Sequence, residues 1–153
     1  MNTDLSHIGC ASEISNSSKT MKLEQQVSSL ELSKRLKELG VKQESYFSWH
    51  RGNSVKMFLV ESTIVGDEEN YPAFTVAELG EMLPKRAEIE TFKSYVYGSG
   101  FSKWRAVLTF KDGEEMRMPM DMSDTEADAR AKMLIYLLEQ GILNPTQTEG
   151  EER

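Results

Sequence analysis

Apolar residues recur along this chain with two periods, and the changes of period divide it. In "MKLEQQVSSLELSKRLKELG", from Met21 to Gly40, Leu32, Leu36 and Leu39 follow a three-to-four-residue spacing with Leu30 nearby, which makes one side of a helix. "SDTEADARAKMLIYLLEQG", ending at Gly141, does the same with Ala127, Ala131, Leu134 and Leu138, and Ile135 and Leu137 widen the stripe. Between these segments the period drops to two. "ESYFSWHRGNSVKMFLVES" holds two strand-like runs around the short turn "RGN". "FKSYVYGSGFSKWRAVLTFKDGEEMRMPM" holds three, separated by "GSG" and "KDG". Tyr95, Tyr97, Trp104, Val107 and Phe110 are residue types that a sheet prefers, and Pro119 belongs at an edge or strand end. With a helix between the two strand groups, the order is αββαβββα. Hairpin-length turns make the sheet mainly antiparallel. The expected fold is α+β, with about five strands and three capped helices packed on one face.

The helix starts share a signature. Ser28 precedes Glu31, Thr75 precedes Glu78 and Ser123 precedes Glu126, each three residues apart. In a capping box the hydroxyl accepts from the third helical N–H and the carboxylate reaches back to the cap's own N–H. Apolar pairs bracket each box as staples: Val27 with Leu32, Phe74 with Leu79, Met122 with Ala127. Each cap is worth about 1 kcal/mol. Gly40 and Gly141 mark two C-termini, and Pro84 stops the middle helix.

Residues 1–21 are rich in Ser, Asn and Thr without periodicity and read as a disordered leader. Met21 is a second candidate start, in which case the leader arises from an upstream initiation codon. Residues 144–153 read as a disordered polar tail, leaving one domain over 22–143, a suitable size within 153 residues. No apolar run reaches the ~20 residues of a membrane span, and no signal-peptide pattern is present. The single cysteine, Cys10, cannot form an internal disulfide, which fits a reducing cytoplasm. A net charge of −7 weighs against broad phosphate binding, so nucleic acid is not the expected partner.

Candidate chemistry is sparse. Asp124, Glu126 and Asp128 crowd the start of the last helix, and Asp121 lies just before it. Acidic groups there are explained by the helix dipole, at about 0.3–1 kcal/mol each. Asp124 and Asp128, four apart, share a helix face, so Asp121, Asp124 and Asp128 are the candidate ligands of a hard cation in a carboxylate-based metal-dependent enzyme. Arg130 and Lys132 are better placed to neutralise them. No nucleophile elbow, phosphate loop or zinc motif occurs, and the expectation is no catalytic residue and no cofactor. His50 is a lone hairpin histidine. Most aromatics are expected in the core, with Trp49 and Tyr95 the pair expected to be half exposed. Together with Arg51, Lys103, Trp104 and Arg105, and with Lys93 nearby, they form the expected ligand or partner face. "TVAELGEMLPKRAEIETFKSYV", covering 75–97, has the rhythm of a helix-turn-helix and carries the alternative of a small DNA-associated regulator.

Three segments, "LELSKRLKELGVKQESYFSW", "AFTVAELGEMLP" and "EADARAKMLIYLLEQGIL", together resemble a group of small uncharacterised proteins of tailed bacteriophages and prophages. Members tend to begin near the equivalent of Met21. The resemblance covers most of 22–143, through the helices more than through 87–120, and brings no catalytic residues. It implies a bacterial host cytoplasm and a non-enzymatic accessory role: binding a host or phage protein, or a small ligand, with inhibition of host defence as one form of that role.

Overall fold

The computed structural model describes residues 21–52, 56–61, 70–84, 87–95, 102–110, 115–117 and 122–145. Within these, a short 3-10 turn at Leu23–Gln25 leads to α1 (Leu30–Glu38), β1 (Phe47–Arg51), β2 (Met57–Glu61), β3 (Tyr71–Pro72), α2 (Val76–Met82), β4 (Ala87–Tyr95), β5 (Ser102–Phe110), β6 (Glu115–Arg117) and α3 (Glu126–Glu139). The α+β class and the order of helices and hairpins follow the periodicity. The 3-10 turn and the two-residue β3 were not legible, being too short to show a period. Residues 1–20 of the leader, 146–153 of the tail, Asp121 and Pro119 lie outside the described residues.

All ladders are antiparallel, but the strands divide between two sheets instead of forming one: β2-β1-β3 and β4-β5-β6. The helix-turn-helix expectation fails. Residues 76–82 form α2, but a nine-residue strand stands where the second helix would be. Leu83 is already extended (ψ 154°), because the Pro84 ring disfavours helical geometry in the residue before it.

Helix α3 lies at the centre and touches α1, α2, β4 and β5. Ala127, Ala129, Ala131, Met133, Leu134, Ile135 and Leu137 are buried, which at 100° per residue is about two thirds of its circumference. That is wider than the expected stripe, because helices and a sheet approach it from different sides. Small alanines permit the close approach, and Phe74, Leu36, Leu79 and Leu108 complete the core. Each fully buried leucine contributes about 1.5–3 kcal/mol.

One of the three expected capping boxes forms in full. Thr75 Oγ1 accepts from Glu78 N–H, and Glu78 accepts from Thr75 N–H at 2.7 Å. The other two shift. The N-cap position of the first helix is Ser29, not Ser28, and the Ser29 side chain makes no capping hydrogen bond; Ser28 is buried, and its Oγ accepts from the Phe74 N–H at 3.0 Å and pairs with the Ser33 hydroxyl. Helix α3 is capped by Thr125, whose side chain accepts from Asp128 N–H. Ser123 instead exchanges two backbone hydrogen bonds with Trp104 of β5, at 2.7 and 2.9 Å, so the chain stays extended there and cannot yet turn into helix. Both glycine stops hold. Gly40 (φ 81°) and Gly141 (φ 67°) are left-handed, and each closes a Schellman motif: Gly40 to Lys37 with Val41 to Leu36, and Gly141 to Leu138 with Ile142 to Leu137.

Candidate interaction surface

Strand β5 sorts its side chains by parity. Ala106 and Leu108 are buried and Trp104 packs against the core, so the even positions face inward. Lys103, Arg105 and Val107 therefore face outward. Register places Ser94 opposite Lys103, Phe92 opposite Arg105 and Glu90 opposite Val107. Phe92 is 43% exposed, so an aromatic ring stands free on this side beside a guanidinium. Arg105 is half-buried, and its Nε is buried without a hydrogen-bond partner among the described residues. A buried donor left unpaired costs about 1–3 kcal/mol. Lys103 is ion-paired with Asp124.

The six residues expected to share one face are distributed over two sheets and two sides. Lys103 and Arg105 are together on the outward side of β5. Trp104, between them, points the other way, with Lys93 Nζ 5.1 Å from its ring centroid. Tyr95 pairs its backbone with Ser102, and its side chain lies outside the described residues. Trp49 and Arg51 belong to β1 in the first sheet. Trp49 is half-buried as expected, but its Nε1 donates to the Ser28 carbonyl at 3.0 Å, an anchoring bond to the segment before α1. Exposed His50 has Asn70 Oδ1 at 2.5 Å from its Nδ1.

The acidic cluster is also divided. Asp124 is exposed and faces Lys103. Glu126 accepts from the Thr91 hydroxyl at 2.5 Å and pairs with Arg130 at 3.0 Å, tying α3 to β4. Arg130 was expected beside Asp124 and Asp128; one turn of helix sets it against Glu126 instead. Lys132 donates to the Met122 carbonyl. Asp128 accepts from the Ser29 N–H at 2.7 Å, filling from another helix the role of the carboxylate in a capping box. Among the described residues no three His, Cys, Asp or Glu side chains gather as a metal-binding group. At the far ends of the same two helices Arg35 bonds Glu139 at 2.7 Å, and the hydrogen bonds it donates to Glu139 and then to Glu38 hold its guanidinium above the ordinary arginine value. Helices α1 and α3 thus run side by side in the same direction, fastened at both ends.

Comparison with known protein families, with curated proteins and with solved structures gives no significant match. No described helix is long and apolar enough to cross a membrane.

Two features escaped the sequence reading. Phe92 had a signal: in "EIETFKSY" it is in phase with Glu88, Glu90 and Ser94, on the polar side of its strand. Applied to β5, the same alternation separates Trp104 from Lys103 and Arg105. The contact between Asp128 and Ser29 had none, because it joins positions 99 residues apart.

Proposed function

We propose that this chain is a non-enzymatic accessory protein of phage or prophage origin, acting in the bacterial cytoplasm by binding a host or phage protein. Inhibition of a host defence system is one form of that role, and a small ligand on the same surface is another. The observation that carries the reading is Phe92 exposed beside Arg105, with Lys103 two residues along, on the outward side of the β4–β5 ladder. An exposed aromatic beside a half-buried guanidinium suits a partner that brings an apolar group and a carboxylate together. The resemblance to small phage proteins supplies the setting.

The test begins with the full chain, tagged and expressed in the bacterial host, and a co-purified protein identified by mass spectrometry. That protein is then purified and titrated against wild type, Phe92→Ser and Arg105→Gln. Each substitution should weaken binding at least about tenfold, or 1.4 kcal/mol, with melting temperatures close to wild type. Undiminished affinity in both variants refutes this surface.

A further inference from the structure

The free edge of the first sheet is self-complementary. Strand β2 lies at the border of the order β2-β1-β3, and among the described residues no strand pairs with its other side. Its side chains alternate: Met57 and Leu59 are half-buried, whereas Phe58 is 51% and Val60 41% exposed. Two exposed apolar residues on an unpaired edge are what soluble proteins ordinarily avoid.

Two backbone bonds show which groups point outward. Gly52 N–H donates to the Lys56 carbonyl at 3.3 Å, so the 52–56 pair is of the hydrogen-bonded kind. Alternation then makes 50–58 and 48–60 hydrogen-bonded too, and leaves 51–57, 49–59 and 47–61 as the wide pairs. Independently, Ala73 N–H donates to the Phe47 carbonyl at 2.8 Å, so Phe47 turns its polar groups to β3 and away from β2. Both observations agree. The N–H and C=O groups of Met57, Leu59 and Glu61 face the open side.

We propose that this edge pairs with the same edge of a second copy, antiparallel about a twofold axis through Leu59. In that register Leu59 meets Leu59 of the second copy, and Met57 meets its Glu61. All six outward-facing groups of each strand then find partners. The intervening wide pairs set Phe58 against Val60 of the second copy, twice, with Cα atoms about 4.5 Å apart. Aromatic and β-branched residues are a favourable cross-strand pair, and here each covers the other. Shifting the register by two residues leaves one end of each strand without a partner from β2. A sheet edge of unrelated sequence would match the hydrogen bonds but not this reciprocal pairing. The twofold also closes the assembly, giving one six-stranded sheet and no further open β2 edge. The surface is distinct from the β4–β5 face, so this inference stands or falls separately from the proposed function.

The experiment uses the full chain in sedimentation equilibrium across micromolar to millimolar concentration. Wild type should approach twice its 17.4 kDa mass, and Val60→Lys should remain a monomer with an unchanged far-UV spectrum. Cross-linking fixes the register. On a Cys10→Ser background, Leu59→Cys should form a disulfide dimer under mild oxidation, since paired Cα atoms lie about 5.5 Å apart. Met57→Cys, about 14 Å along the strand from its own copy at roughly 3.4 Å per residue, should not. A wild type that stays monomeric throughout, a dimer indifferent to Val60→Lys, or equal cross-linking at 57 and 59 would each overturn the pairing. In the monomeric case the edge is left to an extended segment of another protein.

Discussion

Replacing Asp128 with alanine isolates one of the two side-chain fastenings between the first and last helices. Its carboxylate accepts from the Ser29 N–H at 2.7 Å in a partly buried setting. A hydrogen bond to a charged group contributes about 1.5–3 kcal/mol, and the partial exposure places this one near the lower end. Asp128 also lies in the first turn of α3, where a carboxylate adds about 0.3–1 kcal/mol through the helix dipole. The sum is about 2 kcal/mol. At roughly 2–4 °C per kcal/mol for a domain of this size, the melting temperature should fall by about 4–8 °C. With an m-value of about 2 kcal/mol/M, the urea midpoint should fall by about 1 M. Asp124→Ala is the control, since that carboxylate is exposed and its pair with Lys103 is worth about 0–1 kcal/mol. Asp128→Asn keeps an oxygen and loses the charge, so it should fall between the two. The location of the damage is as informative as its size. Amide exchange should quicken at Ser29 and the first turn of α1, 99 residues from the substitution. Equally mild effects of Asp128→Ala and Asp124→Ala, or faster exchange confined to α3, would show that Asp128 does not hold the start of α1.

Other substitutions test other parts of the frame by the same urea titrations. Leu134→Ala empties a fully buried site on the central helix and should cost about 3–5 kcal/mol, with loss of a cooperative transition as the extreme form. Trp49→Phe keeps a ring but removes the donor to the Ser28 carbonyl, for a loss of about 1 kcal/mol; no loss would mean that the indole N–H anchors nothing. Gly141→Ala forces a Cβ onto a residue at φ 67° and should cost about 1 kcal/mol. Gly80→Ala should change stability by under about 0.5 kcal/mol. There a gain of about 1 kcal/mol in helix propensity is offset because the new Cβ would stand 2.9 Å from Arg130 Nη1 and displace it.

The candidate surface was half legible. Lys103 and Arg105 are in phase along β5, and strict alternation would have joined them to Phe92 once the β4 register was known. Trp49 and Trp104 drew attention as aromatics in strands, but one anchors the segment before α1 and the other packs toward the core. Residue type marked them; only the sheet to which each strand belongs, and the side each residue takes, assigned them.

Local pattern by itself determined the helices, their glycine stops, the hairpins and the α+β class, because each depends on groups within a few residues of one another along the backbone. It did not determine that the strands separate into two sheets, that Ser123 is held by β5 and yields its cap to Thr125, or that Asp128 completes the start of α1. Those outcomes rest on competition for a limited set of backbone donors and acceptors. Tertiary packing decides which distant group reaches them first, and a one-dimensional pattern contains no such distances.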